Sequence, residues 1–266
     1  MSSAGRSKER ARRPSVVLTG TPAVSAPAGA LLRRAGFRPV RFGTIAIRPL
    51  RFRVPRENFD WVIFASGYGA RLFAKGADKS FFAGKRIAAI GTATGEVLQR
   101  LGLKPDFIPR IFDSRAFPGE FRKGLRGRRV SALVVSPEKG GEELRAALGS
   151  AGVSAERVAV YSTVPAKATR AGIRKFLSGG PYDFITFASP SAFLAFGKIL
   201  GKDAPGLLAA SRLAAIGRVT AAEMRRAGAE PDVVPSVQTM AGLAEALKKF
   251  CAGRRGGGEE KWDFRK

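Results

Sequence analysis

The sequence contains no histidine and a single cysteine, Cys251. Histidine is the commonest metal ligand and the commonest general base in enzymes, and one cysteine cannot close a disulfide within the chain. The composition therefore argues against a metal site and against histidine-dependent triad chemistry.

Long hydrophobic runs are also missing. No apolar stretch approaches the roughly 20 residues that cross a bilayer, and the charged N-terminus is not followed by an apolar segment of the secretory type. With 266 residues, of which 45% are hydrophobic, the chain is long enough for two modest cores. We expect a globular, cytoplasmic protein.

Acidic residues are scarce, with 21 against 47 basic residues and a formal net charge of +26. The charged ends of the chain predict disordered tails over residues 1–14 and 252–266, but most of the excess lies between them. A folded domain with excess positive charge attracts polyanions, either nucleic acid or a small polycarboxylate. Solvated lysine and arginine side chains on an ordinary surface explain any single charge equally well.

One part of the sequence occurs twice. Two Ala-Ala-Ile-Gly motifs end at Gly91 and Gly217, which are 217 − 91 = 126 residues apart, and a Pro-Asp-x-x-Pro motif follows each at the same spacing. Upstream of them, residues 60–66 match residues 183–189. A repeat of this size is about half a domain pair, so it predicts two similar α/β lobes that face each other across a cleft.

Apolar runs rich in β-branched and aromatic residues alternate with helical periodicity. Continuous rather than alternating apolarity is typical of strands covered on both faces, as in the parallel sheets of βαβ units. We predict a doubly wound α/β fold with strands at residues 15–19, 60–65, 86–90, 129–135, 183–188 and 212–216.

Two extended segments of mixed polarity, residues 38–50 and 156–165, flank the first copy of the repeat. The simplest topology makes residues 41–49 and 158–165 the linker strands between the lobes. Lobe 1 is then discontinuous, and lobe 2 lies between the linkers. Paired crossings of this kind often act as hinges, although two strands within one sheet explain the pattern equally well. The predicted lobes are residues 15–40 with 166–251, and residues 50–157.

Glycine, serine and threonine follow the predicted strands. The helix N-termini at these points carry unpaired N–H groups and about half a positive charge, which suits carboxylate or phosphate binding. An ordinary N-cap explains any one of these residues, but several such turns in two matched lobes favour anion binding. The candidate binding residues are Ser66, Thr92, Thr94, Ser189, Ser191, Arg218 and Thr220.

Tyr161 is one of three tyrosines and lies in the second extended segment. A phenol with a pKa of about 10 is a weak acid that is able to exchange a proton with a substrate. Packing within a strand is the commoner role of such a tyrosine.

Five motifs of the sequence form a recognisable set. They are Asp60-Trp-Val-Ile-Phe-Ala-Ser66, Gly84-Lys-Arg-Ile-Ala-Ala-Ile-Gly-Thr-Ala-Thr94, Val158-Ala-Val-Tyr-Ser-Thr-Val164, Phe187-Ala-Ser-Pro-Ser-Ala192 and Ala214-Ala-Ile-Gly-Arg-Val-Thr220. Taken together, these motifs resemble the uroporphyrinogen-III synthase family. The resemblance runs from about Val16 to Leu247 and rests on the order, spacing and duplication of the motifs rather than on any one of them.

The resemblance implies two flavodoxin-like lobes joined by a two-stranded linker. It also implies a cofactor-free and metal-free reaction, in which linear hydroxymethylbilane loses water and closes to the macrocycle with its last pyrrole ring inverted. The substrate is a small polycarboxylate, and hand-over from hydroxymethylbilane synthase to a monomeric enzyme is expected. Neither a membrane nor nucleic acid is an expected partner.

The resemblance further implies that Tyr161 protonates the leaving hydroxyl group. Thr94 and Thr220 match paired threonines of the two cleft walls, and Ser66, Ser189 and Ser191 match serines that bind the acetate and propionate arms. Arg218 stands where the first copy has Thr92, which predicts that the lobes bind different ends of an asymmetric substrate.

The sequence departs from the family pattern at three places. Gly20-Thr21-Pro22 lacks the arginine of a Thr-Arg-Pro triplet, Tyr68 replaces an asparagine, and an arginine expected after the middle strand is absent at Ser136-Pro137. These departures support a second interpretation, a paralogue that binds a tetrapyrrole or another anion without turnover. A nucleic-acid-binding protein, suggested by the sequence pI of about 11.4, ranks last because no recognisable nucleic-acid module is present.

Overall fold

The structure is a computed structural model, and it describes residues 12–110 and 116–253. Its strands are β1 Ser15–Leu18, β2 Arg38–Arg41, β3 Ile45–Pro49, β4 Trp61–Phe64, β5 Arg86–Ala89, β6 Ser131–Pro137, β7 Ser154–Pro165, β8 Phe184–Phe187 and β9 Arg212–Ala215. Its helices are α1 Pro22–Arg34, α2 Gly67–Gly76, α3 Thr92–Arg100, α4 Phe117–Gly124, α5 Gly141–Ser150, α6 Arg170–Ser178, α7 Pro190–Leu200, α8 Ala204–Ala209, α9 Arg218–Arg226 and α10 Met240–Gly253, with short 3-10 helices at Lys79–Phe82 and Gly201–Asp203.

The chain divides into two compact units. Unit 1 comprises the described residues up to Ala46 and from Val164 onwards, and unit 2 comprises Ile47–Thr163. The chain leaves unit 1 within β3 and returns to it within β7, so both crossings lie in the segments predicted to be extended.

The sheet of unit 1 has the strand order β2-β1-β8-β9, and all its pairings are parallel. Alternate side chains of a strand point to opposite faces of the sheet, and both faces of this sheet are buried. Val17, Ile185 and Leu213 belong to one core cluster, whereas Val16 and Phe184 belong to the other.

The sheet of unit 2 has the strand order β3-β7-β6-β4-β5. The pairings β7-β6, β6-β4 and β4-β5 are parallel. Val62 and Phe64 point into one core cluster, and Trp61 and Ile63 point into the other. The α/β class and its parallel sheets are as predicted, and β3 and β7 are neighbours within one sheet.

The two copies of the sequence repeat form equivalent parts of the two sheets. Trp61 pairs with Ala132 in unit 2 as Phe184 pairs with Val16 in unit 1. Equivalent isolated bridges, Ala88 to Phe107 and Ala214 to Val233, lie beside β5 and β9. The chain order differs, because β1 and β2 precede the repeat in unit 1 whereas β6 and β7 follow it in unit 2.

Two predicted boundaries are wrong. The strand predicted at residues 129–135 is found at Ser131–Pro137, because the chain turns through Arg126 and Gly127, both with positive φ, and needs residues 128–130 to reach the sheet. The tail predicted from residue 252 begins too early, since α10 continues to Gly253. Predictions for residues 1–11 and 254–266 lie outside the described residues. Within the described ranges, no helix combines the length and apolarity that spanning a membrane requires.

Candidate active site

The candidate residues lie where parallel strands end and helices begin. In unit 2, β4 and β5 lead within three residues into α2 and α3. In unit 1, β8 and β9 lead in the same way into α7 and α9. Each unit therefore directs helix N-termini, which attract anions, to the carboxyl edge of its sheet.

In unit 2 the fold brings Tyr161 and Ser66 together. The Tyr161 hydroxyl group lies 2.8 Å from Ser66 Oγ, although the two residues are 95 positions apart in the chain. Ser66 is also the N-cap of α2, where its Oγ accepts a hydrogen bond of 3.0 Å from the Gly69 N–H. The two hydroxyl groups carry two hydrogens, and the bond between their oxygens uses only one of them.

Tyr161 is 6% exposed and packs in the core cluster of unit 2, with the Tyr68 ring centroid 5.7 Å from its own. Burial raises the pKa of the Tyr161 phenol above its ordinary value of 10.0, and the hydrogen bond to Ser66 opposes this shift without cancelling it. The phenol is therefore protonated at neutral pH, as a proton donor must be.

The raised pKa predicts how Tyr161 responds to alkali. Because the folded-state pKa lies above the unfolded value, the contribution of Tyr161 to stability is complete below pH 10.0 and is lost as pH rises through the folded pKa. We expect tyrosinate absorbance to show an ionisation above pH 10.0 that Tyr161→Phe removes. An ionisation of Tyr161 below pH 10.0 in the folded protein would contradict this assignment.

Thr92 and Thr94 lie in the first turn of α3, whose N-cap is Gly91. Thr92 is exposed, whereas Thr94 is 8% exposed and its hydroxyl group makes no hydrogen bond to another described residue. The α3 helix packs close to α2: a side chain at Gly67 would place its Cβ 2.8 Å from Val97 Cγ2. Glycine at position 67 thus allows the N-terminus of α2 to pack against the middle of α3.

In unit 1, Ser189 and Ser191 form a hydroxyl pair. Their Oγ atoms are 2.9 Å apart, and Ser189 Oγ accepts a hydrogen bond of 3.1 Å from the Ala192 N–H as the N-cap of α7. Both serines are half-buried. Ser189 occupies the position in the repeat that Ser66 occupies in unit 2, but its partner is a serine rather than a tyrosine.

Arg218 and Thr220 lie in the first turn of α9, after the N-cap Gly217. Arg218 is exposed and forms no ion pair with a described residue, whereas Thr220 is 3% exposed. A side chain at Gly217 would meet the Gln238 amide, so a larger residue at this N-cap would displace the Gln238 side chain.

Sequence analysis missed Arg157, which brings a cation to the end of β6. Its guanidinium group donates hydrogen bonds of 3.0 Å to Pro137 O, 3.2 Å to Glu138 O and 3.4 Å to Ser136 Oγ. An arginine on β7 therefore lies beside the dipeptide at which an arginine was found to be missing. The parallel pairing of β6 and β7 is the reason, and no local motif indicates it.

No cluster of three or more Cys, Asp or Glu side chains suited to a metal ion occurs in the part of the chain that the structure describes.

Comparison with known proteins gives the same family as the sequence motifs. Residues 27–245 match the family described as uroporphyrinogen-III synthase HemD. This match covers most of the sequence. The chain belongs to the uroporphyrinogen-III synthase family.

Two named relatives share about a quarter of the aligned residues with this chain. The uroporphyrinogen-III synthase of Synechococcus elongatus is 27% identical over 258 residues, covering 89% of this chain and 95% of the relative. The porphyrin biosynthesis protein HemD of Ruminiclostridium josui is 26% identical over 177 residues, and this chain spans only 35% of its length. The crystal structure of the Helicobacter pylori uroporphyrinogen-III synthetase is 15% identical, with a TM-score of 0.63 over 90% of this chain and 100% of that one. The structural likeness supports the two-lobe α/β fold.

Proposed function

We propose that the protein is a uroporphyrinogen-III synthase, which converts hydroxymethylbilane to the macrocycle with inversion of the last pyrrole ring. Family membership over residues 27–245 supports this proposal. The observation that carries it is the buried, protonated Tyr161 phenol, held 2.8 Å from the Ser66 hydroxyl group at a strand end.

The reaction needs one proton delivered and one removed. Tyr161 protonates the hydroxymethyl oxygen, which leaves as water and generates an electrophilic azafulvene. The substituted carbon of the last pyrrole ring attacks the azafulvene and forms a spiro intermediate. The spiro intermediate fragments, and the macrocycle then closes through the other α-carbon of the last pyrrole ring. The proton lost from that carbon balances the proton that Tyr161 supplied.

Holding the substrate in one folded conformation is the larger part of the catalytic task, because ring closure without inversion competes with closure to the type III product. The substrate carries eight carboxylates. We propose that the free N–H groups and hydroxyl groups of α2 and α3 in unit 2, and of α7 and α9 in unit 1, bind them. The proposed binding residues are Ser66, Thr92, Thr94, Ser189, Ser191, Arg218 and Thr220.

Arg218 is the clearest test of carboxylate binding. Its guanidinium group is exposed and has no ion-pair partner among the described residues, so its charge is available for a ligand. We expect Arg218→Gln to raise KM about ten-fold with little change in kcat, because a charge-assisted hydrogen bond contributes about 1.5–3 kcal/mol. Arg174→Gln, at an exposed position of α6, is the matched control and should leave KM unchanged.

A direct assay tests the activity itself. The protein is incubated with hydroxymethylbilane, and the isomers are separated after oxidation. Type III product supports the proposal, and type I product alone overturns it. Tight binding of the bilane without type III product favours the non-catalytic paralogue, which the missing arginine at Gly20-Thr21-Pro22 suggests.

Several finer points belong to the same proposal. The equivalent strand pairings of the two units support an internal duplication and a flavodoxin-like arrangement in each. We propose a monomer that receives hydroxymethylbilane from hydroxymethylbilane synthase in the cytoplasm. A substrate with eight carboxylates does not cross a bilayer unaided, so the two enzymes must share a compartment.

A further inference from the structure

Unit 2 has a cavity of about 760 Å³ at the amino-terminal edge of its sheet. This edge is opposite to the one at which Ser66 follows β4, so the cavity is separate from the candidate residues of unit 2. Four exposed arginines line it, and none of them forms a salt bridge with an acidic side chain of the described residues. They are Arg86, Arg126, Arg128 and Arg129.

The corresponding place in unit 1 shows that Arg86 is unusual. Arg212, its counterpart in the repeat, forms a salt bridge of 3.0 Å with Asp232. Asp106 is the counterpart of Asp232 and likewise accepts a hydrogen bond from the strand that precedes it in the chain, from Ile87 N at 2.8 Å. Arg86 does not pair with Asp106, however, and its guanidinium carbon lies 5.6 Å from the centroid of the Trp61 ring.

Arg128 differs from its counterpart in the same way. In unit 1, Asp183 accepts hydrogen bonds from the backbone N–H and hydroxyl group of Ser15 and also pairs with Arg12 at 3.0 Å. In unit 2, Asp60 accepts the same two bonds from Ser131, and an arginine again stands three residues before that serine. Yet this arginine, Arg128, lines the cavity without pairing with Asp60.

The turn beneath the cavity concentrates the positive charge. Arg126 has φ of 48° and Gly127 has φ of 83°, and Arg128 N donates a hydrogen bond of 3.1 Å to Leu125 O. A non-glycine residue with positive φ is uncommon and strained, and such strain clusters at functional sites. The turn places three guanidinium groups within residues 126–129.

We infer that this cavity binds a small anion that carries several phosphoryl groups. Its volume is that of a small-molecule site, and planar guanidinium groups bind phosphoryl oxygens in pairs. Four cations face a single carboxylate, Asp60, whose Oδ2 is already hydrogen-bonded by Ser131. A concave site without an exposed aromatic platform favours a small anion over a nucleic acid strand.

Calorimetric titration with inorganic tripolyphosphate at about 0.15 M salt tests the inference. We expect Arg86→Gln combined with Arg128→Gln to weaken binding by at least about ten-fold. Arg212→Gln is the matched control, because it removes an equivalent charge that is already paired in unit 1, and it should leave the affinity unchanged. Displacement of Arg86 from the Trp61 ring should also change Trp61 fluorescence, measured with Trp262→Phe so that Trp61 is the only tryptophan.

Arg126→Gly separates binding from folding. It removes a guanidinium group and relieves the positive φ, so we expect an equal or higher melting temperature together with affinity for tripolyphosphate lowered about three-fold. Equal loss of affinity in Arg212→Gln, or wild-type affinity in the double variant, would overturn the inference. Duplex DNA that binds more tightly with length and is not displaced by tripolyphosphate would overturn it too, as would benzenehexacarboxylate binding more tightly than tripolyphosphate.

Discussion

Tyr161→Phe is expected to lower kcat for type III product by about two orders of magnitude, the usual contribution of a positioned general acid. The substitution removes only a hydroxyl group, so the ring keeps its place beside Tyr68 and in the core of unit 2. Stability should fall by about 1 kcal/mol, because one hydrogen bond, to Ser66, is lost. KM should change little, since the phenol acts on the leaving group rather than on the carboxylates.

Tyr182→Phe is the matched control. The Tyr182 hydroxyl group is also buried and donates a hydrogen bond of 2.6 Å to Phe176 O, but it lies in unit 1 away from any strand end that carries a candidate residue. It should cost similar stability and leave kcat unchanged. Equal kcat in wild type and Tyr161→Phe would remove the acid role from Tyr161, whereas an equal loss in both variants would mean that packing is responsible.

Phe73→Ala is expected to destabilise the protein by about 3–5 kcal/mol, as for a fully buried phenylalanine. Phe73 is 0% exposed, and its ring centroid lies 5.4–6.1 Å from those of four other phenylalanines. Truncation of Phe73 leaves a cavity among the four remaining rings that small side-chain movements do not fill. The rings around it are Phe52, Phe64, Phe81 and Phe82.

The effect should reach the candidate active site, because Phe73 anchors α2 and Ser66 caps that helix. Urea unfolding followed by Trp61 fluorescence, again with Trp262→Phe, measures the stability of unit 2. Leu101→Ala, at a position of unit 2 that is 39% exposed, should cost less than about 0.5 kcal/mol. A loss below about 1 kcal/mol for Phe73→Ala would show that unit 2 repacks around the gap.

The strands were predictable because their burial on both faces leaves a local signature. Residues 61–64 are continuously apolar, and residues 184–187 are apolar except for Thr186. The structure places strands there, within a residue of the predicted ends at 60–65 and 183–188. The N-cap roles of Ser66 and Ser189 were equally local, since each serine sits between a strand and a helix.

The partners of the site residues were not predictable in this way. Tyr161 reaches Ser66 only because β7 lies beside β6 and β6 beside β4, and no local pattern encodes that order. Arg157 reaches the end of β6 for the same reason.

The repeat shows most clearly which features follow from the local sequence and which depend on the tertiary structure. By itself, the sequence determined the α/β class and most strand positions, because apolar runs and turn residues act over a few neighbouring positions. The order and spacing of its motifs determined the family. Only the tertiary structure decided that Arg212 pairs with Asp232 whereas Arg86 lies over Trp61. The local sequences of the two arginines are nearly the same, so their different partners come from residues that other strands and turns bring near.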